Sequence, residues 1–343
     1  MSSHVEAPWL AAFVQALSLS GVQRDDACAV LSESRTRPEL PALAMLALQQ
    51  LGAHAFELRV PTPAHAAPVP VRSTGASVAL DGQDAALEAL ARCALVVDCT
   101  VEGLQHAAQL PRILAGGARV LVVSHEHPEI LERCLPRAED EAPVREAMRR
   151  LKTARRMHVS SAAGTDLEID LAGVRVGGIW GFTRKPGTLS HWPGGIVVAF
   201  PAAGSVRGTL VLDRGDVNLS FKRYLAEAVR LRIEDDHITA IDGNGLDAQL
   251  MRTHLAAWGE RAAYAVSHVG WGLNRRARWD AMTFYDKADF NGTELRAFAG
   301  NFLYSTGANE VAGRHTQGHF DLPMRGCTVE LDGQPVVREG ELL

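Results

Sequence analysis

The hydrophobic pattern of this chain changes period near residue 155, and that change restricts the available folds more than any other feature. Before it, DACAVLSE (26–33), HAFELRV (54–60), ALVVDCT (94–100) and ARVLVVS (118–124) read as short strands buried in a sheet. PELPALAMLALQQLG (38–52), opened by proline and closed by glycine, and DGQDAALEALARC (81–93) read as helices between them. Apolar strands separated by helices predict a doubly wound α/β layer with a mostly parallel sheet. After the change, MHVSSAAGTDLEIDLAG (157–173), GGIVVAFP (194–201), GTLVLD (208–213) and AVRLRIEDDHITAIDG (228–243) alternate with period two around Gly and Asp-Gly turns, as antiparallel hairpins do. A helix, LDAQLMRTHLAAWGE (246–260), follows. The expected organisation is an α/β scaffold domain over residues 1–155 and a β-rich α+β domain over 156–343.

Several function classes drop out. A net charge of -5 leaves no basic face for nucleic acid, and the one basic cluster, REAMRRLKTARR (145–156), reads as the solvated side of an amphipathic helix. Five scattered cysteines without a C-x-x-C argue against a disulfide framework or a thiolate zinc cluster, and for a reducing compartment. The amino terminus lacks a basic region before its apolar residues, and no run approaches the roughly 18 apolar residues of a membrane span. A soluble cytoplasmic protein is expected. No G-x-G-x-x-G follows the first strand and no phosphate-binding G-x-x-x-x-G-K-[ST] occurs, so the fold class does not bring a nucleotide with it.

Chemistry concentrates in SHVGWGLN (267–274) and TQGHFDLP (316–323). In an extended segment His319 and Asp321 lie on one face, because strand side chains alternate with period two. With His268 they form two imidazoles and a carboxylate, the facial ligand set of non-haem Fe(II) with positions left open for substrate and dioxygen. Glycines in both stretches suggest close backbone approach. Against this stands the ordinary reading of a His-x-Asp as surface or structural residues. His125 and His127, in SHEHPE, also tempt as a metal pair, but they end a strand with no carboxylate partner in view and read as loop residues.

The segments VEGLQH (101–106), LSHWPGG (189–195), SHVGWGLN and GHFDLPMRG (318–326) make the chain resemble the 2,5-dihydroxypyridine 5,6-dioxygenases, iron-dependent ring-opening enzymes of nicotinic acid and nicotine breakdown. The resemblance runs along most of the chain. It implies a fold related to the M29 metallo-aminopeptidases, which hold two metal ions. Their P-x-G-E-V-F resembles Pro193 to Val197, with apolar Ile196 in place of a liganding glutamate. Their G-E-L-G-I-G resembles SHVGWG, with His268 where a glutamate bridges the ions, and their H-I-A-L-G resembles LYSTG (303–307), with Leu303 in place of a histidine. Only the H-x-D pair is shared. The exchange turns a two-ion, oxygen-rich cage into one site of two nitrogens and an oxygen, which suits Fe(2+).

What the resemblance implies for the other residues follows. The substrate is a small N-heterocycle, 2,5-dihydroxypyridine, opened between C5 and C6 by dioxygen to N-formylmaleamic acid. Its para hydroxyls cannot both chelate one ion, so protein groups must hold the ring. His106, after the strand ALVVDCT, and His191 are the acid/base candidates. Ser305 and Arg296 are candidates for the substrate's polar groups, and Gln105 or Leu104 for the ring face. A homo-oligomer is expected. Two other classes stay open: a two-metal aminopeptidase-type hydrolase, and a non-catalytic protein with a structural zinc whose fourth ligand would be His315.

Overall fold

A computed structural model describes residues 5–64, 76–289 and 291–343. The amino-terminal part builds a five-stranded parallel sheet in the order His54–Val60, Ala27–Glu33, Leu95–Asp98, Arg119–Val122, Leu189–His191. The apolar runs of its inner strands are continuous because both faces are covered, whereas the edge strand His54–Val60 is exposed along most of its length. Val30, Leu95, Val97 and Leu121 pack with Phe13, Leu17, Leu43 and Leu48 of the helices Ala7–Leu19 and Glu39–Gln50. Leu31, Val96, Val120 and Val122 pack on the other face with Leu87, Leu90 and Ile113 of Asp84–Ala91 and Leu110–Ala115. This is the doubly wound layer expected from the sequence. The fifth strand was not expected: Leu189–His191 lies beyond residue 155 yet pairs in parallel with Arg119–Val122. Three residues are too few for a periodicity to register.

The remaining described residues form two large antiparallel sheets and a small two-stranded one, Val217–Asn218 with Arg223–Tyr224. The central one runs Phe320–Met324, Phe302–Thr306, Val266–Gly272, Ile196–Phe200, Arg175–Ile179. The outer one has eight strands and includes the expected hairpins Arg156–Ser161 with Asp166–Asp170 and Val229–Glu234 with His237–Asp242. The segment REGELL (338–343) supplies the edge strand Glu341–Leu342. A shared core joins the sheets: Met157, Leu167, Val206 and Leu231 of the outer sheet meet Val269, Trp271, Phe302, Tyr304 and Leu322 of the central one. No helix among the described residues is long and apolar enough to cross a membrane.

Candidate metal centre

The face of the central sheet turned away from the shared core carries the predicted ligands. Antiparallel pairing sets His268 opposite Ser305 and Ser305 opposite Asp321, so the three side chains form one row across three strands. His319 stands just before its strand, on the same side as Asp321, as period two requires. Neighbouring residues Val269, Phe320 and Leu322 turn into the shared core and fix the strands from behind. The glycines of SHVGWGLN reflect crowding. A Cβ on Gly270 would lie 1.9 Å from the Val197 carbonyl oxygen, and one on Gly272 would lie 2.1 Å from that of Phe298.

His106 comes from the other half of the molecule. It sits in the loop after Leu95–Asp98, at the carboxyl end of the parallel sheet, where such sheets present their sites. Buried Asp98 shapes that loop: Oδ1 accepts the Thr100 amide at 2.9 Å and Oδ2 the Leu104 amide at 2.8 Å. The loop brings a ring nitrogen of His106 within 4.8 Å of ring nitrogens of both His268 and His319. His191, at the carboxyl end of the fifth strand, approaches from the same side, with Nε2 2.9 Å from Gln105 Oε1.

Asp321 is fully engaged. Its Oδ2 accepts Arg296 Nε–H at 2.5 Å, and its Oδ1 accepts the Ser305 hydroxyl. Oδ1 also lies 3.2 Å from His319 Nε2 and 3.8 Å from His268 Nε2. Burial alone would raise its pKa, but Arg296, followed by the two histidines, outweighs burial and holds it well below the usual carboxylate range. Desolvation lowers His268 and His191 to about 3 and pushes His106 well down, so these three imidazoles are neutral near pH 7.

The hydrogen-bond partners of the two histidines show what the donor set can hold. The Ser267 hydroxyl donates to the Ala308 carbonyl, so at 3.1 Å it accepts from His268 Nδ1–H, which leaves the lone pair on Nε2. That lone pair faces the Asp321 carboxylate at 3.8 Å, two acceptors with no proton between them. His319 Nδ1 is buried without a hydrogen-bond partner. Ligands sharing an ion with bonds of about 2.0–2.2 Å stand roughly 3–3.5 Å apart. The donor set fits a single cation, with His319 Nε2 and Asp321 Oδ1 at that spacing and His268 Nε2 a few tenths of an ångström beyond it.

Some predicted residues fall elsewhere. Leu104 is buried in the apolar cluster beneath the parallel sheet, because its backbone rather than its side chain is what Asp98 holds. His315 is exposed and outside the cluster of convergent imidazoles. His125 and His127 are loop residues, as read from the sequence: His125 Nε2 bonds to the Ala288 carbonyl, and His127 caps the helix Pro128–Arg133. Two useful neighbours were missed. Ser267 reaches its own neighbour's ring because the pairing shifts between Val266 and His268, and no sequence signal marks that bulge. Phe200, opposite His268, places its ring 5.5 Å from the imidazole, as the alternation of GGIVVAFP allows.

Ile196 and Leu303 are buried in one apolar cluster with Val198 and Phe200 on the same face. A solved structure, wild-type AmpT from Thermus thermophilus, has the same fold, with a TM-score of 0.67 at 15% identity over 98% of this chain and 99% of that one. The structure of 2,5-dihydroxypyridine dioxygenase from Pseudomonas putida KT2440 superposes with a TM-score of 0.92 at 37% identity, covering 98% of this chain and 96% of that one. A curated 2,5-dihydroxypyridine 5,6-dioxygenase from Pseudomonas putida KT2440 is 38% identical over 335 residues, 96% of this chain and 95% of its own. The family description of 2,5-dihydroxypyridine 5,6-dioxygenase (NicX) matches residues 8–343, and the chain belongs to that family.

Proposed function

We propose that this protein opens the ring of 2,5-dihydroxypyridine between C5 and C6 with dioxygen, giving N-formylmaleamic acid, at one Fe(II) held by His268, His319 and Asp321. The observation that carries the reading is the pair of facing acceptors, His268 Nε2 and Asp321 Oδ1 at 3.8 Å, with His319 Nε2 3.2 Å from the same oxygen. Two imidazoles and a carboxylate would leave coordination positions open, and Fe(II) held there would let the electron-rich ring, which supplies the electrons, reduce dioxygen.

The protein's own groups hold the ring and move its protons. Gln105 Oε1 accepts from His191 Nε2–H, which leaves the Nδ1 lone pair to take a proton from a ring hydroxyl. A pKa near 3 makes His191 a weak base for a distant proton. Transfer becomes favourable only from a hydroxyl against it, where the imidazolium and ring anion form a neutral pair. His106 serves as the second acid/base group from the facing loop. We assign Arg296 and Ser305 to holding Asp321 rather than the ring, since both already bond to it.

One observation favours a second ligand set. The imidazoles of His106, His268 and His319 converge within 4.8 Å, so His106 would take the place of Asp321 on the ion. A hydrolase of the two-ion type is opposed by the apolar cluster around Ile196 and Leu303, which offers a second ion no donors. We also infer division of the chain near residue 155, with one strand lent back to the first sheet, and a cytoplasmic homo-oligomer. Five buried free cysteines fit a reducing compartment. Anaerobic titration of metal-free protein with Fe(II) tests the reading. One ion per chain, lost in Asp321→Ala and retained in His106→Ala, is expected. Two ions per chain would overturn it, and loss in His106→Ala alone would favour the three-imidazole set.

A further inference from the structure

The segment leading from the turn Trp279–Thr283 to the metal-bearing sheet lies against the carboxyl ends of the parallel strands, where the α/β half grips it at successive points. Arg37 Nη2 reaches the Asp289 carbonyl at 3.1 Å and its carboxylate at 2.6 Å. His125 Nε2 bonds the Ala288 carbonyl at 2.5 Å. Glu126, which is fully buried, uses Oε1 to accept the Thr293 amide at 2.7 Å, at the start of the short helix Thr293–Ala297. Arg133 forks onto Glu294 with Nη2 at 2.9 and 2.7 Å from the two carboxylate oxygens, and Glu294 also accepts the Arg278 amide at 2.7 Å.

Two residues past Glu294 on that helix comes Arg296, whose Nε bonds Asp321 Oδ2 at 2.5 Å and whose Nη1 bonds Asn291 Oδ1 at 3.2 Å. A five-residue helix does not hold its own position, because so few turns barely repay nucleation. Something else must therefore fix Arg296. Partly buried ion pairs such as Arg133–Glu294 are weak devices for stability, since desolvation consumes much of the attraction, but they define geometry sharply. Burial raises the pKa of Glu126, opposed by its bond from Thr293 and by the charges of Arg296 and Lys222.

We propose that Glu126 and the Arg133–Glu294 pair are positioning residues for the metal-binding carboxylate. From the α/β half they fix the helix Thr293–Ala297, through it Arg296, and so the rotamer that turns Asp321 Oδ1 toward His268 and His319. The half of the molecule that supplies His106 and His191 thereby also sets the ligand field on the opposite wall. This rests on the reading above that Asp321 binds the ion.

The test is anaerobic Fe(II) titration of metal-free Glu126→Ala, Glu126→Gln, Arg133→Met and Asp321→Ala, with the visible spectrum of each Co(II)-loaded protein as a second readout. Glu126→Ala and Arg133→Met are expected to bind Fe(II) about 10-fold more weakly, the lower end for outer contacts of a metal site, and to alter the Co(II) bands. Glu126→Gln keeps an oxygen for the Thr293 amide and should behave like the parent. Far-ultraviolet circular dichroism identifies variants that fold; if Glu126→Ala does not, Glu126→Leu replaces it, and if Arg133→Met does not, Arg133→Gln replaces it, with the same expectation. Folded variants with parental affinity and spectrum, beside an Asp321→Ala that has lost affinity, would overturn the inference and leave the site reading intact. Parental affinity in Asp321→Ala would overturn both.

Discussion

The two faces of the central antiparallel sheet do opposite things with the same strands. On one face Val269, Trp271, Phe302, Tyr304, Phe320, Leu322 and Met324 enter a core shared with the outer sheet. On the other, one residue along, stand His268, Ser305 and Asp321. The apolar face makes the polar face rigid. A ligand on a strand whose neighbours are locked in close packing cannot drift, which is what a metal centre needs when the ion is absent. The α/β half works differently: its contributions, His106 and His191, come from the ends of strands and from a loop shaped by Asp98 rather than from the middle of a sheet.

The comparison can be broken at several points. On the polar face, His319→Ala should abolish metal binding in a calorimetric titration while the metal-free protein keeps its circular dichroism. Retained stoichiometric binding would remove His319 from the ligand set. From the α/β half, His191→Gln should keep the ion and lower kcat by about 10²–10⁴, the range for a lost acid/base group. An unchanged rate would make His191 structural. On the apolar face, Leu322→Ala should cost about 2–5 kcal/mol in denaturant unfolding, as for other buried leucines, with metal stoichiometry intact under native conditions. Loss of the metal at full stability would show that the two faces are not separable.

The smallest effect concerns a histidine that touches the apolar side. His254 is buried with its ring 5.0 Å from Phe320, and desolvation lowers its pKa to about 4. Its unfolded value is about 6.5, so its contribution is fully present above that pH and is lost as pH falls toward 4. The whole effect is on the order of 3 kcal/mol at most, and less at any pH above 4. Unfolding midpoints between pH 7.5 and 5 should fall less steeply in His254→Leu than in the parent. Parallel slopes would mean that His254 does not titrate in this way.

Much of this was legible in the chain. Continuous apolar runs such as ALVVDCT announced strands covered on both faces, and the alternation in AVRLRIEDD announced a hairpin with one face in the core. The H-x-D spacing placed His319 and Asp321 on one side because period two is a property of any strand. Three features were not legible. Leu189–His191 is too short to display a period, and its parallel partner lies almost 70 positions earlier in the chain. Leu104 and Gln105 are sequence neighbours, yet one enters the core and the other meets His191, because the loop is dictated by Asp98 and not by local propensity. The contacts of Arg296 and Ser305 with Asp321 depend on the strand register that sets Ser305 opposite Asp321 and on where the helix Thr293–Ala297 docks, neither of which local sequence displays.

The central claim is that one ion on the polar face, served by two imidazoles from the α/β half, opens an N-heterocyclic ring with dioxygen. It is tested most directly by oxygen uptake of anaerobically purified, Fe(II)-reconstituted protein on addition of 2,5-dihydroxypyridine, with the ring absorbance followed in parallel. The account expects one dioxygen consumed per ring lost, with no activity in Asp321→Ala. Stoichiometric iron with neither oxygen uptake nor loss of ring absorbance would contradict it.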